Sequence, residues 1–293
     1  MFKGVFTALI TPFLKNKQID FISLQNLLIR QEQSEVDGVV ILGTTAEECT
    51  LTNNECLNII EMATKTLKTK KIIVGVSGNC TQNVVDKIKV YNNYPIDGYL
   101  VGTPYYNKPT SKGLVNHFVK IALSTQKPIM LYNIPGRCGV KIDFKALEEL
   151  KPYKNIVAIK EASGDIDYFT NLIAKFGDRY SILCGNDNII LPMLASGAVG
   201  CVSVLSNYLP QLPVKIYKNY ALNITNCIFL HNKFNYFVNI LFIETNPMCI
   251  KYVLYKNGLC RNILRAPLVP IKQSSKNKID NAIIKVQNNL HLL

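Results

Sequence analysis

A lysine closes the apolar run Ile156-Val157-Ala158-Ile159-Lys160. Lysine at the end of such a run either snorkels to solvent as an ammonium or stays at the mouth of a core, where desolvation favours the neutral amine. A neutral amine attacks ketones, and lysine catalysts are commonly tuned to a pKa of about 7 to 8 for that purpose. Two hydroxyl types could pass protons to and from the resulting carbinolamine and enamine: the phenol of Tyr132 and the hydroxyl of Thr44. Taken alone, a buried tyrosine is more often a packing residue with a satisfied hydroxyl, so it is the lysine that gives Tyr132 its interest. Arg137 follows a Pro-Gly pair and offers a planar fork suited to a substrate carboxylate, with a surface salt bridge as its other reading. Gly43, Gly136 and Gly185 let backbone approach a small ligand closely.

These residues fall at the ends of short β-branched runs, which the sequence repeats eight times: Val5 to Ile10, Gly38 to Leu42, Ile72 to Val76, Gly98 to Val101, Ile129 to Tyr132, Ile156 to Lys160, Ser181 to Cys184 and Gly200 to Ser203. Helical spacing separates them. Ile166, Phe169, Leu172, Ile173 and Phe176 share one face, and Thr52-x-x-Glu55 reads as a capping box ahead of Leu57, Ile60, Ala63 and Leu67. Because the strands are nearly continuous apolar runs, both faces must be covered, which predicts a parallel sheet wrapped by helices. Eight βα units predict a closed (β/α)8 TIM barrel, whose reactive groups gather at the C-terminal ends of the strands. A doubly wound sheet would usually carry a glycine-rich phosphate loop after its first strand, and Ile10-Thr11-Pro12-Phe13 is not one. From about Leu209 the pattern is helical only, with stretches near 226–242, 247–256 and 278–290. This predicts a catalytic barrel over 1–224 and a C-terminal helical extension over 225–293.

Composition limits the alternatives. The chain has 293 residues, 48% hydrophobic and 18% charged, an ordinary globular balance. A formal charge of +13 raises nucleic acid as a partner, but the lysines are spread along the chain and no nucleic-acid motif accompanies them, so none is expected. The 9 cysteines are scattered singly, with no C-x-x-C pair, which suggests reduced thiols in a cytosol. No signal or transit peptide is visible, no apolar run reaches membrane-spanning length, and a cytoplasmic location is expected. His117, His231 and His291 lie far apart and read as surface histidines, so no metal site is expected. Val157-Ala158-Ile159-Lys160 also spells a protein-kinase strand, but the glycine loop and the H-R-D and D-F-G motifs which that reading needs are missing.

Taken together, Gly43-Thr44-Thr45-x-Glu47, Tyr105-Tyr106, Tyr132-Asn133-x-Pro135-x-Arg137 and Ile159-Lys160-Glu161 resemble the dihydrodipicolinate synthase (4-hydroxy-tetrahydrodipicolinate synthase) family. The likeness begins at Gly4-Val5-Phe6-Thr7-Ala8 and Thr11-Pro12-Phe13 and extends to Asn246-Pro247 and Pro267-Leu268-Val269-Pro270. It implies a lyase that condenses pyruvate with L-aspartate 4-semialdehyde in lysine and diaminopimelate biosynthesis, with no metal or organic cofactor. By the same resemblance Lys160 forms the pyruvate Schiff base, Tyr132 relays protons with Thr44, and Tyr106 of a neighbouring subunit completes the relay. Arg137 is then expected to receive the semialdehyde carboxylate, while Thr45, Gly185 and backbone near Val202 hold pyruvate. A shared site of this kind implies a homotetramer built as a dimer of dimers.

Two departures from the family pattern carry expectations of their own. Ala46 stands where the family generally has glycine, and a positive φ there would cost on the order of 1 kcal/mol. Cys56 and Asn83 stand where lysine-sensitive members tend to carry histidine and glutamate, which implies weak or absent inhibition by L-lysine. The rival readings are an N-acetylneuraminate or 2-keto-3-deoxy sugar acid lyase with the same imine chemistry, and a non-catalytic basic barrel acting as a binding protein. Arg137 and the Thr44-Thr45 pair favour the synthase over the first, and retention of all the reactive groups speaks against the second.

Overall fold

The computed structural model describes residues 2–293. Eight strands, β1 (Gly4–Ala8), β2 (Gly38–Ile41), β3 (Lys71–Gly75), β4 (Gly98–Gly102), β5 (Ile129–Asn133), β6 (Ile156–Glu161), β7 (Ser181–Cys184) and β8 (Gly200–Ser203), pair in sequence order and close on themselves. Every pairing is parallel, including β8 with β1, where Gly4 lies opposite Gly200. The eight predicted runs therefore form the predicted barrel, and closure leaves no strand edge to protect. The end residues differ by one or two: β1 stops at Ala8, short of Ile10, whereas β5 and β6 each run one residue further, to Asn133 and Glu161.

Helices α1 (Phe21–Glu32), α2 (Asn53–Thr66), α3 (Thr81–Tyr91), α4 (Ser111–Ala122), α5 (Pro135–Cys138), α6 (Phe144–Leu150), α7 (Ile166–Phe176), α8 (Ile190–Ala195) and α9 (Gln211–Asn219) cover the barrel. The Thr52 capping box is present: the Thr52 hydroxyl accepts from the Glu55 N–H at 3.3 Å, and the Glu55 carboxylate accepts from the Thr52 N–H at 2.9 Å. On α2 the buried stripe is Cys56, Ile59, Ile60 and Ala63, with Leu57 only partly covered. On α7 the stripe is rotated likewise: Tyr168, Phe169, Leu172 and Phe176 are buried, while Ile166 is exposed in the first turn after the Asp165 cap. Burying a side chain such as Phe169 removes its ring from water, and truncation to alanine there costs about 3–5 kcal/mol.

After β8 the chain is helical, continuing through α10 (Ile224–Ile240), α11 (Met248–Lys256) and α12 (Gln273–Gln287). α10 begins two residues earlier than its apolar pattern, because the Asn223 side chain accepts from the Asn226 N–H at 3.0 Å and caps it. α12 begins five residues earlier than its pattern, directly after the proline-bounded segment that ends at Ile271. α10 packs against α8, α9 and α12, so barrel and extension share one hydrophobic core.

One reading of the histidines is corrected. His117 is buried, 3% exposed, because it lies on the inner face of α4 with its Nδ1 2.9 Å from the Thr81 hydroxyl. Among the described residues no helix is long and apolar enough to cross a membrane.

Candidate active site

A bulge in the β5–β6 pairing decides what faces what at the mouth of the barrel. Ile129 pairs with Ile156 but Met130 pairs with Ala158, so Val157 is skipped and Tyr132 comes into register with Lys160. The Lys160 amine lies 4.3 Å from the centroid of the Tyr132 ring. The lysine is only 6% exposed. Burial holds its amine at about 8, below the ordinary 10.5, and the Arg137 charge pushes the same way, while Asp187 and the thiols of Cys184 and Cys201 oppose the shift. At pH 7 about a tenth of the side chain is therefore an uncharged amine, against well under a thousandth for an ordinary lysine.

Gly185, the first residue after β7, gives that side chain its room. A Cβ there would lie 3.0 Å from the Lys160 Cε, 2.6 Å from the Ala162 Cβ and 2.9 Å from the Glu161 carbonyl oxygen. Behind the lysine, Glu161 is buried and its carboxylate accepts from the Asn133 amide at 2.5 Å and the Ser163 N–H at 2.6 Å, which fastens the ends of β5 and β6 together.

Tyr132 is buried, and burial pushes its phenol up to about 12, an effect offset in part by the Arg137 charge and by a hydrogen bond with the Thr44 side chain. The phenol thus stays protonated at neutral pH. Thr44 and Thr45 sit in a short helical turn, Thr44–Ala46, that follows β2. The backbone at Ala46 does not adopt a positive φ, so the conditional cost there does not arise; the left-handed residues of this segment are Leu42 (φ 54) and Glu47 (φ 57).

The Glu47 conformation is held by a buried charge network. Its carboxylate pairs with Lys251 of α11 at 2.5 Å, both side chains being fully enclosed, and also accepts from the Arg265 N–H at 3.0 Å. Arg265 in turn bonds both oxygens of Glu55 and the Thr50 carbonyl. The extension thereby grips the loop that carries Thr44 and Thr45.

Arg137, on α5, is exposed at the rim and forms none of the ion pairs found among the described residues, so the salt-bridge alternative is not realised. It donates to the Asn246 carbonyl at 3.0 Å, while the Asn246 amide donates to the Thr45 hydroxyl at 2.9 Å. Two adjoining cavities open around this arrangement. One, of about 350 Å³, is walled by Thr44, Ser77, Tyr105 and Cys138. The other, of about 590 Å³, is walled by Thr45, Lys160, Gly185, Asn186 and Val204. Tyr132, Arg137 and Asn246 belong to both.

Six of the eight residues singled out from the sequence thus line these two adjoining cavities: Lys160, Tyr132, Thr44, Thr45, Arg137 and Gly185. Two do not. Val202 is buried within β8, and Val204, two residues further on, lines the cavity wall. Tyr106 is 88% exposed on a left-handed backbone (φ 72) and lines neither cavity of its own chain. Sequence reasoning assigned no site role to Asn246, Asp187 or Lys251. Asn246 and Lys251 come from the extension, some 85 residues or more beyond Lys160, and only the tertiary fold brings them to it. Among the described residues no group of three or more His, Cys, Asp or Glu side chains could hold a metal ion.

An eight-stranded parallel barrel with a desolvated lysine at the C-terminal end of its sixth strand, beside a phenol and an arginine at the rim, defines an enzyme of the imine-forming lyase class. The comparisons place it further. Residues 1–286 match the Dihydrodipicolinate synthetase family, and the chain belongs to that family. Over 280 residues, 94% of each chain, it is 38% identical to the 4-hydroxy-tetrahydrodipicolinate synthase of Parabacteroides distasonis. Over 281 residues, 95% of this chain and 97% of the other, it is 38% identical to the synthase of Geobacter metallireducens. It superimposes with a TM-score of 0.96 on the 4-hydroxy-tetrahydrodipicolinate synthase structure from Methylacidiphilum fumariolicum SolV, at 37% identity, covering 100% of this chain and 99% of the other.

Proposed function

We propose that this chain condenses pyruvate with L-aspartate 4-semialdehyde to give 4-hydroxy-tetrahydrodipicolinate, in lysine and diaminopimelate biosynthesis. The observation that carries this is the uncharged fraction of the buried Lys160 amine, set against the Tyr132 phenol in a cavity that Arg137 overlooks. The membership of the family and the relatives of that activity support it.

The Lys160 nitrogen adds to the ketone carbon of pyruvate, and the carbinolamine loses water to leave an iminium. Loss of a methyl proton gives an enamine, whose carbon attacks the aldehyde of the second substrate. The new alkoxide takes up a proton, and the amino group of the semialdehyde displaces Lys160 by attacking the imine carbon, closing the ring. Each step moves a proton over a short distance, and Tyr132 with Thr44 is the relay suited to do so. Thr45, Gly185 and backbone near Val202 hold pyruvate, and Arg137 receives the carboxylate of the semialdehyde. Lysine supplies the electron sink itself, so the chemistry calls for neither metal nor organic cofactor.

Tyr106 projects from its own barrel, and we read it as the residue that completes the relay in a neighbouring copy. On that reading the working enzyme is a homotetramer of paired dimers, acts in the cytoplasm, and consists of a barrel over 1–224 with an extension over 225–293 that braces it.

Borohydride reduction in the presence of pyruvate, followed by peptide mass mapping, tests the assignment. The adduct is expected on Lys160 and is absent from Lys160→Ala. Turnover of pyruvate with aspartate semialdehyde, and none with N-acetylneuraminate, separates the synthase from its sugar-acid relatives. An unlabelled Lys160 in an active enzyme would overturn the proposal.

A further inference from the structure

Between Glu244 and Asp280 the chain carries seven lysines and arginines and no acidic residue. Three of the seven are paired: Lys251 with Glu47, Arg265 with Glu55, and Lys256 with Asp280 at 3.4 Å. Arg261 and Lys276 take part in none of the ion pairs found among the described residues, and neither does Lys15, in the loop between β1 and α1. The fold gathers these charges instead of spreading them. Lys15, Lys256, Arg261 and Lys276 line one cavity of about 510 Å³, and among the described residues no Asp or Glu lines it. None of its walls belongs to the two cavities around Lys160. Lysines on a convex surface are separated by water, whereas in a concavity with low-dielectric walls their fields add. Two further features shape the place. Gln273, the first residue of the 15-residue helix α12, lines it with Lys276 three residues on, and the N-cap Lys272 makes no capping bond through its side chain, so the positive end of the helix is open to an anion. Tyr252 and Tyr255, with ring centroids 6.2 Å apart, provide an aromatic wall, of which Tyr255 is 49% exposed.

We propose that this cavity is a binding site for a small, multiply charged phosphate anion, held by Lys15, Lys256, Arg261 and Lys276 at the start of α12. Arg261 offers a planar fork that matches two phosphate oxygens, and the lysines act as point charges around it. A phosphate group brings about two negative charges and three acceptor oxygens, more than a carboxylate supplies, and so answers several converging cations at once. Asp280 does not take that place. Its carboxylate pairs with Lys256 and accepts from the Tyr252 hydroxyl at 3.1 and 3.2 Å, which fixes one wall and leaves the other three cations without a counter-charge. Neither substrate of the proposed condensation carries a phosphate, so the occupant is a third molecule, bound away from the imine chemistry. The volume lies within the ordinary range for small-ligand sites.

The test is calorimetric titration of the full-length protein with inorganic pyrophosphate, with pyruvate present in excess so that the cavities around Lys160 are occupied. One saturable site per chain is expected. Arg261→Ala combined with Lys276→Ala removes two charged partners and is expected to weaken binding by about tenfold or more, with turnover unchanged. Lys68→Ala combined with Lys70→Ala removes the same net charge from the turn ahead of β3, and is expected to leave the affinity within about twofold, since distant charges are screened. Should the first pair fail to fold, Lys15→Ala, from a separate loop, takes its place and must weaken binding as well. Equal losses in the two double variants would mean that the anion answers only to overall charge, and the proposal fails. It fails too if the parent shows no saturable binding. ADP in place of pyrophosphate, titrated into the parent and into Tyr255→Ala, separates the two sources of phosphate. A gain over pyrophosphate that Tyr255→Ala abolishes identifies an aromatic ester stacked on the tyrosine, and equal affinities identify the free anion.

Discussion

Lys160 and Tyr132 are paired in register across β6 and β5, and the amine of one rests 4.3 Å from the ring centroid of the other. That pairing depends on the skipped residue Val157, so a single bulge places the lysine against the tyrosine ring, the two residues proposed as nucleophile and proton relay. Because burial sets the amine at about 8, the nucleophilic fraction grows roughly tenfold per pH unit below that value and levels off above it. kcat/KM for pyruvate is accordingly expected to rise between about pH 6 and 8 and then flatten. A profile already flat at pH 6 contradicts the burial argument.

Tyr132→Phe keeps the ring face and removes the hydroxyl. We expect kcat to fall by about 10²- to 10⁴-fold, the usual worth of a positioned acid–base group, with the KM for pyruvate little changed. Trapping at Lys160 should persist, only more slowly. A variant within twofold of the parent in kcat rules the phenol out as the relay.

Arg137→Lys retains charge but loses the planar fork. Charged hydrogen bonds contribute about 1.5–3 kcal/mol, so kcat/KM for the semialdehyde is expected to fall by about 10- to 100-fold. Pyruvate trapping should be spared. Equal losses for both substrates would mean that the residue orders the cavity in general instead of reading one carboxylate.

Lys251→Met strands the Glu47 carboxylate in a sealed site. Breaking a buried pair in this way costs about 3–5 kcal/mol, whereas Glu47→Gln combined with Lys251→Met should recover much of that loss. Urea denaturation measures both. Since Glu47 adjoins the Thr44–Ala46 turn, the single variant is also expected to bind pyruvate less tightly. If single and double variants prove equally stable, the pair is not coupled.

L-Lysine is expected to inhibit weakly or not at all. Cys56 is buried, and Asn83 is an uncharged side chain on an exposed groove beside Asp86 and Lys87. A steep dose response of the purified enzyme to millimolar L-lysine would refute this.

Much of the architecture is legible in the sequence, because eight buried parallel strands must read as eight nearly unbroken apolar runs. The end of the sixth run identifies Lys160 for the same reason: a lone cation closing such a run needs an explanation. What was not legible follows from interactions between distant segments. After β2 the left-handed residues are Leu42 and Glu47, and the Glu47 carboxylate is paired with a lysine of α11 more than 200 residues away. The buried stripe of α7 is rotated away from Ile166 because the first turn of a capped helix overhangs the core it covers. His117 looks like an ordinary surface histidine until α3 is laid beside it.

Asn246 spans the gap between Arg137 and Thr45, touching one through its carbonyl and the other through its amide. On the roles proposed for Arg137 and Thr45, a small molecule that pried the segment around this residue away from the rim would disturb recognition of both substrates together. Resistance by tighter pyruvate binding would then offer little escape, which makes this clasp an attractive target for an inhibitor.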